Sequence, residues 1–272
     1  MESSHPADLP WAAVPERSAE AKEMSEVGVV ELVIEKGAAF ISPCFSMKVP
    51  EDFQYGRVVI FGGSFDPITF THIQVATEII NFDLADQVWI VPCGMRPDKH
   101  TNISPEERCE MVSIALEAMV PKHYPLFVER TEIDNGRYYP TRELMCVYRE
   151  KYPKLNFKIL IGNDLLSGLH LWDDFPDLIS ENEFIVYDRV FTSECIISPD
   201  PEGFVTLNDE GRTRMKVQRI RDSTASGMAP MISNVSSTEI RKRITLRGID
   251  SIVGLTPLEV IRFIRERNLY IK

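Results

Sequence analysis

The 272-residue sequence has no apolar run of about 18 residues, the length a helix needs to cross a bilayer, and so no membrane span is expected. Residues 1–15 lack a basic flank leading into an apolar stretch, and no secretory signal is expected either. The five cysteines (Cys44, Cys93, Cys109, Cys146 and Cys195) are widely spaced and include no C-x-x-C pair. That argues against a zinc site or a disulfide framework and for a reducing, intracellular setting, cytoplasmic or nuclear. Cys109 and Cys146 fall in helix-like stretches and are expected to be core residues. Positive charge is not in excess: 30 Lys and Arg face 41 Asp and Glu, net −11, which argues against general nucleic-acid binding. Two common phosphate-binding patterns are also missing, G-x-x-x-x-G-K-[ST] and G-x-G-x-x-G.

What remains is an ordinary globular balance, 44% hydrophobic and 26% charged, long enough for one large domain or two small ones. The charge is unevenly spread. Residues 1–56 carry 4 basic and 10 acidic side chains, residues 57–211 carry 13 and 26, and residues 212–272 carry 13 and 5. A basic C-terminal segment in an acidic chain points to a local anionic ligand such as phosphate, set against a plain Arg- and Lys-rich helix surface.

Residues 1–26, rich in Ser, Ala, Glu and Pro, read as a disordered tail. Residues 27–45 turn apolar and fit one or two strands or a short helix, and residues 50–56 read as a linker. From Arg57 the texture changes. Short apolar runs at 58–61, 88–91, 126–128, 157–161 and 183–187 read as buried strands. Between and after them, 72–82, 104–119, 141–151, 237–246 and 257–267 read as helices. Ser104, Pro105 and Glu107 form a helix-start signature. Residues 190–227 are polar and read as an irregular insertion. Alternating strands and helices predict an α/β fold: a Rossmann-like, doubly wound parallel sheet with C-terminal helices. Ligands of such sheets sit beyond the carboxyl ends of the strands. Gly62-Gly63, the segment 92–99 and Gly162-Asn163-Asp164 all fall at such ends.

The strongest motif is Gly62-Gly63-Ser64-Phe65-Asp66-Pro67-Ile68-Thr69-Phe70-Thr71-His72. Two glycines after a strand allow a phosphate to approach the backbone. His72, at a helix start, is placed to hydrogen-bond a phosphate oxygen or to stabilise charge developing in transfer. A second motif is Val235-Ser236-Ser237-Thr238-Glu239-Ile240-Arg241. Its hydroxyls can cap a helix, and Arg241 lies three residues beyond Thr238 on the same face, so together they make an anion site. In isolation each motif has a plainer reading: a Gly-rich turn with an incidental histidine, and an N-cap before a basic helix.

The first stretch resembles the G-G-x-F-D-P-x-H-x-G-H signature of the nucleotidyltransferase α/β-phosphodiesterase superfamily, and the second its I-S-S-T-x-I-R motif. Thr69 stands where the common form has its first histidine, and Thr71 where it has a glycine; threonine at the first position also occurs in some eukaryotic-type members. The resemblance implies that Gly62, Gly63, Ser64 and Phe65 hold ATP phosphates, with Ser237, Thr238 and Arg241 on the triphosphate. It gives His72 the transition-state role.

The segments between resemble the nicotinate/nicotinamide mononucleotide adenylyltransferases: residues 104–115, Gly162 and Asp164 of the G-x-D segment, the Leu171-Trp172 pair, and the closing 255–271. Asp164 can accept hydrogen bonds from ribose hydroxyls, and Trp172 offers a flat face for a pyridine ring. Tyr139 and Thr141 fall where the family lines its nicotinate pocket, although Pro140 intrudes. Lys99 falls where members place a basic residue near phosphates, and His100 is a weaker candidate. Asp66, Arg108, Arg130 and Arg137 read as either structural or anion-guiding. The resemblance covers residues 57–272, the implied catalytic domain, and leaves an N-terminal extension, 1–56, without a role.

Implied substrates are ATP and a pyridine mononucleotide, with magnesium or a similar ion arriving on ATP. No nucleic acid or membrane partner is expected, and a homo-oligomer is left open. The alternatives are a phosphopantetheine adenylyltransferase-like enzyme, a cytidylyltransferase (whose R-T-x-G-x-S-T-type motif is absent), or a non-catalytic nucleotide-binding, chaperone-like protein.

Overall fold

A computed structural model describes residues 49, 56–98, 103–188, 200–207, 213–220 and 229–271. The expectations for residues 1–26 and 27–45, for most of the 50–56 linker, and for Lys99 and His100 lie outside the described residues.

Seven strands form one sheet: β1 Gly56–Gly63, β2 Gln87–Pro92, β3 Leu126–Val128, β4 Leu155–Gly162, β5 Glu183–Tyr187, β6 Phe204–Thr206 and β7 Arg214–Arg219. Their spatial order is β3-β2-β1-β4-β5-β7-β6. Every pairing is parallel except that of the edge strand β6 with β7. The α-helices are α1 Phe70–Asn81, α2 Pro105–Met119, α3 Thr131–Asp134, α4 Thr141–Lys151, α5 Phe175–Glu181, α6 Ser237–Arg247 and α7 Leu258–Glu266, with 3-10 segments at Asn163–Leu171 and Ile249–Ile252.

Successive strand residues point to opposite faces, and both faces of the central strands are buried. Val59 and Phe61 of β1, with Val88 and Ile90 of β2, join a core with α1, α2, α6 and α7. Val58, Ile60, Trp89 and Val91 join a second core with α4, α5 and the first 3-10 segment. There Trp89 meets Tyr148, Tyr152 and Phe157 at steep interplanar angles of 86°, 72° and 68°. Such pairs add about 0.5–1.5 kcal/mol each beyond their buried area.

The helix start at Ser104 is a capping box as expected: its hydroxyl accepts from the Glu107 N–H at 3.1 Å, and the Glu107 carboxylate accepts from the Ser104 N–H at 3.2 Å. Three readings need correction. The stretch 190–227 is not irregular throughout, since β6 and β7 lie in it. α5 and the 3-10 segment at Asn163–Leu171 carry no strong local signal and went unpredicted. Cys146 is exposed on α4, whereas Cys109 is buried as expected.

Candidate functional site

A cavity of about 320 Å³ opens beyond the carboxyl ends of β1, β2 and β4. Gly62 and Gly63 end β1 at its floor, and Ser64 and Phe65 continue the loop. Phe65 has a left-handed φ of 45°, and its ring meets the His72 imidazole edge-on at 5.1 Å. Non-glycine residues hold that conformation where their surroundings over-determine it.

His72 sits in the first turn of α1 and is mostly buried, with its ring on the cavity. The N-cap, Thr69, sets its orientation: the Thr69 N–H donates to His72 Nδ1 at 3.0 Å. Nδ1 is therefore an acceptor, which assigns the ring proton to Nε2. The capping box thus turns a helix-start histidine into an N–H donor of fixed tautomer.

The second motif closes the opposite wall. Ser236, rather than Ser237, is the N-cap of α6, and its hydroxyl accepts from the Glu239 N–H at 3.1 Å. The Ser237 hydroxyl donates to the Pro67 carbonyl at 2.7 Å, so it ties the two motifs together. Arg241 does the same: Nη1 donates to the Asp66 carbonyl at 2.6 Å, while Nη2 donates to Thr238 Oγ1 at 3.3 Å. Both departures from the common signature join this seam. The Thr69 hydroxyl donates to the Val235 carbonyl at 3.3 Å, and Thr71 Oγ1 accepts from the Val235 N–H at 2.8 Å. The closing segment adds Thr256, whose hydroxyl donates to the Ile68 carbonyl at 2.7 Å.

Across the cavity, Gly162 ends β4 and Asp164 follows it. A Cβ on Gly162 would lie 2.3 Å from Asp164 Oδ1 and 3.3 Å from the Tyr187 ring, so glycine is what lets Asp164 reach the cavity. Trp172 and Thr141 line this cavity and a neighbouring one of about 460 Å³. Leu171 lines only the outer one and is largely exposed. Tyr139 is a buried wall residue: the Arg137 guanidinium lies 3.7 Å over its ring, and its hydroxyl accepts from Asn135 at 2.8 Å. The tyrosine shared by both cavities is Tyr138, not Tyr139, and the Arg96 guanidinium stands 5.7 Å from its ring.

Arg96, Gly94 and Glu132 carried no sequence signal of their own, because long-range backbone approach creates their roles. The buried Glu132 carboxylate accepts from the Gly94 N–H at 2.8 Å and the Tyr139 N–H at 3.3 Å. Burial pushes its carboxyl above the usual range, against the lowering effect of those two bonds. Arg108 is fully buried, donating to the Ser64, Cys93 and Gly94 carbonyls at 2.5, 2.6 and 3.1 Å. It holds the β1 and β2 loops together. A Cβ at Gly94 would meet Arg137 O at 2.7 Å and Tyr138 N at 2.9 Å, both backbone atoms. Gly94→Ala should therefore lose about 1–3 kcal/mol of stability, read as a lower denaturation midpoint, because neither backbone can yield as a side chain would. An unchanged midpoint would mean that this close approach is not a constraint.

The cytidylyltransferase-like family profile matches residues 60–243, spanning both motifs. The probable nicotinate-nucleotide adenylyltransferase of Halalkalibacterium halodurans is 30% identical over 217 residues, 79% of this chain and 91% of that one. The chain belongs to the nicotinate/nicotinamide mononucleotide adenylyltransferases of the cytidylyltransferase-like family. The probable nicotinate-nucleotide adenylyltransferase of Borrelia turicatae is 27% identical, covering 79% of this chain and 98% of its own. In three dimensions this family member is similar to the Plasmodium falciparum nicotinic acid mononucleotide adenylyltransferase complexed with NaAD. That match has a TM-score of 0.63 at 27% identity, over 79% of this chain and 98% of that one. A second structure of the Plasmodium enzyme, complexed with APC, has a TM-score of 0.59 at 26% identity. Among the described residues no helix is long and apolar enough to cross a membrane.

Proposed function

We propose that the domain formed by residues 57–272 transfers the adenylyl group of ATP to nicotinate mononucleotide, with nicotinamide mononucleotide as the second acceptor. A 5′-phosphate oxygen of the mononucleotide attacks the α-phosphorus of ATP; the bond to the β-phosphate oxygen breaks and pyrophosphate leaves. The observation that carries this reading is the meeting of the Gly62–His72 loop and the Ser236–Arg241 helix start around one cavity that also holds Asp164 and Trp172. The relatives' printed names support the acceptor class.

No protein nucleophile is required, and the residues act by positioning and by electrostatic stabilisation. The Nε2–H of His72 donates to the α-phosphate as charge develops there. Arg241, Thr238 and the free N–H groups at the start of α6 hold the β- and γ-phosphates. The backbone of Gly62 to Phe65 cradles the phosphate chain. Asp164 takes the ribose hydroxyls, and Trp172, with Tyr138 and Thr141, receives the pyridine ring. Among the described residues no three His, Cys, Asp or Glu side chains cluster for a metal, and the divalent ion is expected to arrive on ATP. Magnesium bound there would offset negative charge on the phosphate oxygens.

Pyrophosphate release with ATP and each mononucleotide tests the reading. Release with nicotinate mononucleotide, faster than with phosphopantetheine, is the expected result. No release with any acceptor would favour a nucleotide-binding, non-catalytic protein.

A further inference from the structure

Asp66 is an odd neighbour for a triphosphate. Its carboxylate is buried on the wall of the cavity, where an unattended negative charge would repel phosphate and draw Arg241 away from it. Two groups face it. The Tyr270 hydroxyl donates to Asp66 Oδ1 at 2.6 Å, and Arg241 Nη1 stands 3.6 Å from Oδ2. The arginine contact is thus a loose ion pair and not a two-pronged fork; the short bond from Nη1 goes to the Asp66 carbonyl instead.

Tyr270 is brought there by an unusual turn of chain. Asn268 and Tyr270 both have left-handed φ, 53° and 62°, on either side of the buried Leu269. The Leu269 N–H is fixed to the Ile264 carbonyl at 2.9 Å, at the end of α7. Burial first, then the Asp66 charge, pushes the Tyr270 phenol well above its usual range, so it remains a donor.

We infer that Tyr270 is a positioning residue for ATP: by hydrogen-bonding one oxygen of Asp66, it keeps that carboxylate from clamping Arg241 and so leaves the guanidinium directed at the triphosphate. This rests on the reading of Arg241 as a triphosphate ligand. Without the hydroxyl, Asp66 would rotate toward the arginine and compete with phosphate for it. The mononucleotide half of the cavity, bounded by Trp172 and Tyr138, would not be affected.

The test is steady-state kinetics of Tyr270→Phe with each substrate varied. KM for ATP should rise about three- to tenfold, as when one hydrogen bond to a charged group is lost, while kcat stays within about twofold and KM for the mononucleotide is unchanged. In an Asp66→Asn or an Arg241→Ala background the same change should have no further effect on KM for ATP, because the group it acts through is gone. A lowered melting temperature with unchanged KM for ATP would overturn the inference and leave Tyr270 as a tail anchor. So would equal rises in both KM values, or an effect that persists in both backgrounds. A wild-type enzyme with no turnover on any acceptor would instead remove the functional reading beneath it.

Discussion

His72→Gln should fold normally and lose about two orders of magnitude in kcat, the usual size of removing one donor aimed at developing transition-state charge. Glutamine is the informative replacement. His72 has two features to separate: its Nδ1 closes the α1 capping box, and the residue lines the cavity. Glutamine is a natural partner in a capping box, so it preserves the first role while removing the imidazole. Alanine would lose the imidazole and the hydrogen bond to the Thr69 N–H together, which confuses the two. Stopped assays under saturating substrate, beside a thermal melt, separate the effects. Turnover within about threefold of wild type, with an unchanged melt, would remove His72 from the chemistry.

Arg241→Ala should have the largest effect on the use of ATP, a fall of about 10²- to 10³-fold in kcat/KM. Its guanidinium is held by the Asp66 carbonyl and Thr238 Oγ1 at the entrance to α6, where the helix N-terminus already favours anions. Arg241→Lys should fall between the two, since an ammonium keeps the charge but loses the planar fork that matches phosphate oxygens. Equilibrium binding of a non-hydrolysable ATP analogue provides the check. Unaltered affinity in Arg241→Ala would mean that the β- and γ-phosphates lie elsewhere.

The parts of this protein that could be read from its sequence are those whose cause is local. Val58 to Phe61 and Val88 to Val91 are continuous apolar runs because both faces of their strands are covered, and such runs need no context to be recognised. Ser104 and Ser236 announce helix starts through their own hydroxyls. β7 was hidden because it lies beside the edge strand: Met215 and Val217 point inward while Lys216 and Gln218 stay exposed, and the alternation is short enough to pass for polar coil. The pyridine side of the cavity depends on contacts that are not local: the 137–139 turn, which brings both Tyr138 and Tyr139 to the wall, is seated on Gly94, some 40 residues earlier in the chain, and on the buried Glu132 carboxylate. Arg108 reads from the sequence as either structural or anion-guiding, and only the loops of β1 and β2 arriving above it make it a buried strut.

The seam between the two phosphate motifs bears on how this protein assembles. Bonds from the residues around Thr69 reach partners 162, 166, 170, 175, 188 and 204 positions away along the chain. Loop-closure entropy grows only logarithmically with such separations, so the seam is thermodynamically tolerable, but contacts of this span form late. Undocking α6 and α7 while β1 to β4 stay paired would take Ser236–Arg241 away from the cavity and leave no competent nucleotide site. Nucleotide then selects the docked state by mass action, adding about 2.7 kcal/mol at a ligand concentration one hundred times its Kd. The substrate's phosphates are in that sense the last structural element of the fold, completing a joint that the chain closes from both ends.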